Sequence, residues 1–335
     1  MTLIGTLLWP LTLPYGAVTY LRTCAYRKGI LRQRRLDGMV ISVGNLTTGG
    51  TGKTPMVLWI AQRLLTEGKN TGILTRGYRG EGEGATSTSD EVQLLRARLG
   101  ERVALGVGAD RFARGSELAK RGVESFVLDD GFQHLQLARD VDIVLIDATN
   151  PFGGGHLLPA GRLREPLSAL SRADVIVITR SDHAPAVEAA IRRNSDAPIF
   201  YARAHLEYIQ EFGGEPTGTR HAEAYTRKWF AFSGIGNPAA FRADLREWGL
   251  DIAGYKAFPD HHRYTAQDVK TIEDAAYAVG ANAIICTEKD RFNLSGVPLP
   301  AMDLYWGCIS VQIAREQDFW QKVMAVAESR IRSRR

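Results

Sequence analysis

One stretch of the chain, residues 41–55, constrains the fold more than any other feature of the sequence. It reads Ile-Ser-Val-Gly-Asn-Leu-Thr-Thr-Gly-Gly-Thr-Gly-Lys-Thr-Pro. The apolar residues 39–43 predict a buried strand, the glycines predict a loop, and Pro55 suits the first turn of a helix. Strand, glycine-rich loop and helix in this order are typical of a phosphate-binding loop, in which backbone N–H groups and the helix N-terminus face phosphate oxygens.

Each residue type in this loop has a chemical use. Lys53 can reach the outer phosphates of a nucleotide, and the Thr54 hydroxyl can ligate Mg²⁺. The usual motif has a glycine where this chain has Thr47, and two later glycines loosen the loop instead. The alternative is an ordinary glycine-rich turn with a surface lysine. We expect the nucleotide to bind at Thr47, Thr48, Gly49, Gly50, Thr51, Gly52, Lys53 and Thr54.

Strands alternate with helices along most of the chain, which predicts a mostly parallel sheet with helices on both faces. The expected fold class is therefore α/β, with a P-loop NTPase-like sheet and a second, smaller α/β lobe. A length of 335 residues fits about two domains. The expected domains are an N-terminal segment (1–36), a P-loop core (37–206), a connection (207–228) and a smaller C-terminal lobe (229–335).

Composition limits the partners of the chain. The net charge of +5 is too small and too dispersed to indicate nucleic acid. The three cysteines lie far apart and show no metal-ligand spacing, so we expect a reducing compartment and no zinc. No obligate protein partner is evident from the sequence.

The N-terminal segment differs from the rest in charge pattern. Residues 1–21 carry no charge, and six basic residues follow before the first acid, Asp37. Prolines and glycines interrupt the apolar run, which argues against a spanning helix of ~20 apolar residues. An apolar segment with a basic flank favours docking on an anionic membrane surface. The alternative is an arm buried against the core of the chain itself.

Two acids follow an apolar strand at Asp129 and Asp130. In P-loop proteins this position holds Mg²⁺ on the nucleotide phosphates, and a cation would relieve the repulsion between adjacent carboxylates. The alternative is a solvated turn. Asp147, at the end of the next predicted strand, is a weaker candidate of the same kind.

Further polar residues fall on predicted loops and helix ends. Asp90 begins a helix, where an acid is stabilising without any catalytic role. His261 and His262 are adjacent, which disfavours a shared metal, whereas one histidine could act as an acid or base. The long loop 151–166 is of the kind that usually carries function. Arginine side chains that could bind phosphate are Arg76, Arg79, Arg111, Arg162 and Arg164.

Several motifs in this order resemble one family, the tetraacyldisaccharide 4′-kinases of lipid A biosynthesis. The most specific are Asp-Asp-Gly-Phe-Gln-His (129–134) and Leu-Leu-Pro-Ala-Gly-Arg-Leu-Arg-Glu-Pro (157–166). Others are the phosphate-binding loop, Thr-Arg-Gly-Tyr (75–78), Ser-Asp-Glu (89–91), Gly-Ala-Asp-Arg (108–111), Phe-Pro-Asp-His-His (258–262) and Thr-Glu-Lys-Asp (287–290).

The resemblance implies transfer of the ATP γ-phosphate to the 4′-hydroxyl of a lipid-linked glucosamine disaccharide 1-phosphate. The product would be lipid IVA, formed at the cytoplasmic face of the bacterial inner membrane by a peripheral or N-terminally anchored enzyme. It also implies two lobes with ATP between them. The implied roles are a general base at Asp90 assisted by His261, Mg²⁺ and site tuning at Asp129 and Asp130, and substrate contacts at Arg162, Arg164 and Glu165.

In that scheme His261 lies in the C-terminal lobe and reaches the site by lobe closure. Two other functions stay open on the residues alone. One is a GTPase-type switch or metallochaperone, since residues 287–290 distantly resemble a guanine-reading motif. The other is a nucleotide-gated membrane adaptor without catalysis.

Overall fold

The computed structural model describes residues 8–77, 89–214 and 224–334. The strands, in chain order, are β1 (Met39–Asn45), β2 (Thr71–Thr75), β3 (Ala104–Val107), β4 (Ser125–Asp129), β5 (Val141–Asp147), β6 (Val175–Thr179), β7 (Ile199–Glu211), β8 (Lys228–Ser233), β9 (Asp251–Ala257), β10 (Ala283–Thr287) and β11 (Leu304–Ile313).

The α-helices alternate with these strands for most of the chain. In chain order they are α1 (Thr12–Arg27), α2 (Lys53–Thr66), α3 (Asp90–Leu99), α4 (Arg111–Ala119), α5 (Pro185–Arg192), α6 (Pro238–Glu247), α7 (Ala266–Ala278), α8 (Glu288–Asn293) and α9 (Glu316–Arg332). A capping box begins α7, with the Thr265 hydroxyl and the Asp268 carboxylate each bound to the other residue's backbone N–H.

The chain forms two compact units. Unit 1 comprises Met1–Tyr78, Leu99–Arg203 and Val311–Arg335, and unit 2 comprises Arg79–Arg98 and Ala204–Ser310. Unit 1 contains β1 to β6 and the start of β7, in the spatial order β3-β2-β4-β1-β5-β6-β7. The pairings among these strands are parallel. The fully buried β1 lies at the centre, so the loop that follows it emerges between the ends of β4 and β5.

Unit 2 has a smaller parallel arrangement in the order β11-β10-β8-β9. Its core is rich in aromatic side chains, among them Phe232, Tyr264 and Trp306, which are at most 4% exposed. The ring of Phe232 meets that of Tyr264 edge to face at 5.2 Å, a geometry favourable for aromatic pairs. The predicted α/β class with a parallel P-loop sheet is confirmed.

These units differ from the predicted domains in two places. The C-terminal helix α9 belongs to unit 1, where Phe319 packs edge to face on Trp59 and on Phe200. Helix α3, assigned from the sequence to the P-loop core, belongs to unit 2. The apolar pattern of a helix shows which face is buried but not which sheet covers it, so order along the chain misled the prediction. In addition, β7 continues to Glu211, into the expected connection.

No helix within the described ranges combines the length and the apolar character needed to cross a membrane.

Candidate active site

The loop between β1 and α2 has the backbone of a phosphate cradle. Gly49 and Gly52 adopt φ angles of 122° and 86°, in the left-handed region that favours glycine. Helix α2 begins directly after Gly52, at Lys53, so its first N–H groups face the same loop. The predicted strand, loop and helix therefore exist as one element in unit 1.

A buried asparagine organises this loop from inside. Asn45, the last residue of β1, donates from Nδ2 to Thr51 Oγ1 at 3.0 Å and accepts from Lys53 Nζ at 3.3 Å. Its backbone carbonyl accepts from Gln133 Nε2 at 3.0 Å. Sequence analysis did not single out Asn45, although a polar residue at the end of an apolar strand was the available signal.

Residues at the end of β6 hold the outside of the same loop. Thr179 Oγ1 donates to the carbonyl of Thr51 at 3.2 Å, and Arg180 Nη1 donates to that of Gly50 at 3.3 Å. The same Arg180 nitrogen pairs with Asp147, which also accepts from the backbone N–H of Thr149. In this structure Asp147 thus supports the loop through Arg180. The sequence had suggested Asp147 as a weaker candidate for binding metal.

The two acids after β4 have different surroundings. Asp129 is buried and accepts from the Thr75 hydroxyl at 3.1 Å. Asp130 has a left-handed φ of 50° and faces two cations, Lys53 Nζ at 3.4 Å and Arg164 Nη1 at 2.7 Å. Burial raises the pKa of Asp130, but Lys53 and Arg164 outweigh that effect and hold the pKa below its ordinary value.

The substrate-loop candidates lie along the phosphate-binding loop. Thr47 pairs with Leu163 in an antiparallel bridge, and Arg162 Nε donates to the carbonyl of Thr48 at 3.0 Å. This short pairing places Arg164 where it reaches Asp130. The carboxylate of Glu165 is 5% exposed and pairs with Arg172 at 2.9 Å, so an arginine of unit 1 already neutralises it.

The remaining predicted arginines fall into three cases. Arg76 is exposed just after β2, and Arg79 lies outside the described residues. Arg111 is 7% exposed, and within the described ranges it forms no ion pair; its Nη1 donates to the carbonyl of Ala109. Burial, together with the charge of Arg76, lowers the pKa of Arg111. A buried guanidinium without a carboxylate partner is costly unless an anion binds it.

Unit 2 carries the other predicted pair, Asp90 and His261. The Nδ1 atom of His261 lies 3.0 Å from Asp90 Oδ1 and 2.9 Å from Oδ2. The Asp90 side chain is 3% exposed and the His261 side chain 26% exposed. Both residues belong to the same compact unit, so the expectation that lobe closure brings His261 to Asp90 is not needed for this contact.

The contact changes the protonation behaviour of both groups. Burial raises the pKa of Asp90, but the hydrogen bond to His261 and the charge of Lys289 outweigh it, and the net pKa is lowered. The same hydrogen bond raises the pKa of His261 above its ordinary value. The left-handed φ of His261, 58°, is uncommon for a non-glycine residue, and such backbone often occurs at functional sites.

The neighbouring histidine is used differently. The ring of His262 stacks on Phe258 with centroids 4.7 Å apart, and its Nε2 lies 3.1 Å from Asp268 Oδ2 at the start of α7. His262 therefore stabilises the turn that carries His261, and the two adjacent histidines have different roles.

These features define a P-loop protein that binds nucleotide phosphates: a central strand, a glycine-rich loop followed by a lysine, and two acids at the end of the adjacent strand. A family model described as tetraacyldisaccharide-1-P 4′-kinase matches residues 4–328. A tetraacyldisaccharide 4′-kinase from Geobacter metallireducens is 42% identical over 313 residues, covering 88% of this chain and 90% of its own length. One from Desulfatibacillum aliphaticivorans is 35% identical over 340 residues, covering 95% and 92%.

A solved structure agrees with these relatives. LpxK from Aquifex aeolicus, crystallised in complex with ATP, superposes with a TM-score of 0.73 at 29% identity, covering 97% of this chain and 99% of that one. The chain belongs to the tetraacyldisaccharide-1-P 4′-kinase family.

Proposed function

We propose that this chain transfers the γ-phosphate of ATP to the 4′-hydroxyl of a tetraacylated glucosamine disaccharide 1-phosphate, which makes it an ATP-dependent kinase with an alcohol acceptor that forms lipid IVA. The names of its relatives support this substrate. The observation that carries the proposal is the buried Asp90 carboxylate with its histidine partner. A sugar hydroxyl needs such a base to take its proton, whereas a nucleotide switch or an adaptor does not.

Unit 1 would bind the nucleotide. The loop residues from Thr47 to Thr54 surround the phosphates with backbone N–H groups, and Lys53 compensates the charge of the transferred phosphate. Asp130 holds Lys53 and Arg164 in place through its two ion pairs. Its position between these cations gives Asp130 an indirect part in catalysis.

Magnesium fits the oxygen ligands of this site. Thr54, Asp129 and Asp130 supply one hydroxyl and two carboxylates, the donor types that Mg²⁺ prefers. Within the described residues, the buried Oδ1 atom of Asp130 accepts no hydrogen bond; it faces Lys53 Nζ at 3.4 Å, and a bound Mg²⁺ would share this oxygen with the lysine. When bound, Mg²⁺ would neutralise charge on the phosphate oxygens. These three residues would hold it.

Unit 2 would supply the base. Asp90 takes the proton from the 4′-hydroxyl, the freed oxygen forms a bond to the γ-phosphorus, and the bond to the β–γ bridging oxygen breaks to leave ADP. His261 orients the carboxylate through Nδ1 and shares its proton. The pair titrates as a unit, because each partner changes the pKa of the other.

Six residues remain proposed to act on the acceptor, either by contacting it or by supporting a residue that does. Arg111 is the strongest of them, since its buried charge calls for an anion such as the substrate phosphate. Glu165 would act through Arg172, its ion-pair partner, rather than by contacting the sugar itself. The full set is Arg76, Arg79, Arg111, Arg162, Arg164 and Glu165.

We also propose that α1 docks on the cytoplasmic face of the inner membrane. Leu13, Val18 and Leu21 are 64%, 64% and 65% exposed, an unusual apolar surface for a helix. Arg27 closes the helix, and further basic residues follow it. Tyr15 of the same helix donates from its hydroxyl to the carbonyl of Arg164 at 2.9 Å, which ties the docking surface to the proposed substrate loop.

The test incubates the full chain with γ-labelled ATP, Mg²⁺ and a tetraacyldisaccharide 1-phosphate in mixed micelles. We expect label on the lipid, and an Asp90→Asn variant should transfer it ~10²- to 10⁴-fold more slowly with ATP affinity unchanged. Label that goes only to inorganic phosphate, or a strong preference for GTP, would refute the kinase proposal. An equal loss of turnover and ATP affinity in Asp90→Asn would make Asp90 a binding residue instead.

A further inference from the structure

The short helix α8 includes Glu288, Lys289 and Asp290 of the Thr-Glu-Lys-Asp motif, and Thr287 of the motif is its N-cap. Its six residues, Glu288–Asn293, lie in unit 2 with the Asp90–His261 pair. A capping box fixes its start, because Thr287 Oγ1 accepts from the backbone N–H of Asp290 and the Asp290 carboxylate accepts from that of Thr287. The helix is therefore well defined despite its length.

One side of α8 holds the helix that carries Asp90. Asn293 Nδ2 donates to Asp90 Oδ2 at 3.3 Å, and Lys289 Nζ donates to Glu91 Oε1 at 2.7 Å. At the far end of α3, Arg98 Nε donates to Glu288 at 3.0 Å. Three polar contacts thus join two helices along their length, and one of them touches the catalytic carboxylate itself.

The other side of α8 holds the turn that carries His261. Asp290 is fully buried, and its Oδ1 accepts from the backbone N–H of Gly234 at 2.8 Å and from the Tyr264 hydroxyl at 2.7 Å. The carbonyl of Gly234 in turn accepts from the backbone N–H of His261 at 2.9 Å. Asp290 is thus connected to His261 through a single residue.

Gly234 leaves no spare room in this connection. A β-carbon added there would lie 3.0 Å from His262 Cβ, 3.1 Å from the carbonyl of Pro259 and 3.2 Å from Asp290 Oδ1. The turn that carries His261 and the carboxylate of Asp290 therefore both press against the same glycine. Such close packing transmits a shift of α8 to the His261 backbone.

We propose that α8 is a positioning element that sets the distance and the proton affinity of the Asp90–His261 pair, with Asn293 and Lys289 acting on Asp90 and Asp290 acting on His261. The inference rests on the proposed function. In this proposal its residues contact neither substrate nor nucleotide: they act through the pair, and Asn293 does so by its hydrogen bond to Asp90. The motif Thr-Glu-Lys-Asp thereby has a task in catalysis without binding substrate or nucleotide.

The charges around the pair predict the direction in which each variant should shift the pH dependence of kcat. Lys289 lowers the pKa of both Asp90 and His261, whereas Asp260, 3.8 Å from His261 Nε2, raises that of His261. Glu91 is paired with Lys289, and Asn293 is uncharged. When His261 is protonated, the Asp90 carboxylate is held in an ion pair and cannot accept the proton of the hydroxyl. The fall of kcat on the acid side of its pH profile, the acid limb, therefore reports the pKa of the pair. Loss of Lys289 should therefore move that limb to higher pH.

The test measures kcat, KM and the pH dependence of kcat for the full chain and four variants. We expect Asn293→Ala to lower kcat roughly ten- to a hundredfold, the effect of one hydrogen bond to a charged group, without changing KM for ATP. The acid limb should move to higher pH in Asn293→Ala and Lys289→Met. It should move furthest in Asn293→Asp, which keeps the size of the side chain but places a second negative charge beside Asp90. Lys289→Arg retains the positive charge and should show the native profile.

The control is Lys270→Met, which removes an exposed lysine of α7 in the same unit and should leave the profile unchanged. A native kcat in Asn293→Ala, or a lowered kcat with the acid limb at its native pH, would overturn the positioning role. If Asp90→Asn keeps native turnover, the proposed function itself fails. If Asp90→Asn is inactive while all α8 variants behave as native, only the present inference fails.

Discussion

The Asp90–His261 pair predicts opposite effects of pH on stability and on turnover. The pKa of His261 is raised on folding, so its contribution to stability is complete below the ordinary histidine value of 6.5 and is lost as pH rises through the raised value. The pKa of Asp90 is lowered, so its contribution is present above 3.8 and is lost as pH falls through the lowered value. Both contributions are complete between these limits, whereas turnover by the mechanism proposed above needs the neutral imidazole found at higher pH.

The size of the stability effect follows from the geometry. Nδ1 lies within hydrogen-bond distance of both oxygens of a carboxylate that is 3% exposed. A charged hydrogen bond of this kind contributes about 2 kcal/mol, and a neutral one about 1 kcal/mol. For a chain of 335 residues the shift is roughly 1.4 °C per kcal/mol, so His261→Gln should lower Tm by about 3 °C near pH 5.5 and by about half of that near pH 9.

Thermal melts followed by fluorescence across this pH range provide the assay. The control is His183→Gln, which changes an exposed histidine of unit 1. It should leave Tm unchanged at both pH values. Turnover of His261→Gln should fall ~10²-fold and lose the native acid limb. A loss in Tm that is equal at both pH values would refute the ion-pair reasoning, even if turnover falls.

Three further predictions concern unit 1. Lys53→Ala should lower turnover ~10³-fold, because one cation facing the transferred phosphate is lost, and near-native turnover would refute the loop assignment. Arg180→Met should weaken ATP binding roughly tenfold by freeing the carbonyl of Gly50, measured by calorimetry, and unchanged affinity would show that the loop is rigid without it. Serine at the exposed apolar positions Leu13, Val18 and Leu21 of α1 should weaken binding to anionic vesicles at least about a hundredfold, measured by sedimentation. Turnover on a detergent-dispersed acceptor should not change. Unchanged sedimentation would favour an arm docked on the protein.

The sequence predicted the elements whose patterns are local. The start of α3 at Asp90 and the buried strand at residues 39–43 agree with the expectation, because each is marked by residue types within a few positions. The phosphate-binding loop is of the same kind, since its glycines and its lysine must be consecutive. Local chemistry therefore predicted the loop at residues 47–54, whereas the roles of Asp90 and His261 came from the family resemblance and stay a proposal.

What the sequence did not predict depends on contacts distant in the chain. The role of Asn45 depends on Gln133, 88 residues away, and that of Asp90 on residues 171 and 203 positions later. The extension of β7 to Glu211 was missed because residues 207–211, Glu-Tyr-Ile-Gln-Glu, are mostly polar and lack the strict alternation that predicts a strand. Contacts between residues that are distant in the chain produce no periodic pattern in a single sequence, so they could not be predicted from it.

The buried state of Asp290 decides between the kinase and the guanine-reading alternative. To read a guanine base, an aspartate must offer a free carboxylate to the N–H groups of the ring. Here Oδ1 accepts from Gly234 and Tyr264, Oδ2 accepts from the hydroxyl and the backbone N–H of Thr287, and the residue is 0% exposed. A carboxylate has about four acceptor positions, and these four donors fill them. Asp290 therefore has no capacity left for a base, and the motif that resembled a nucleotide reader instead fits the positioning role that we propose for α8.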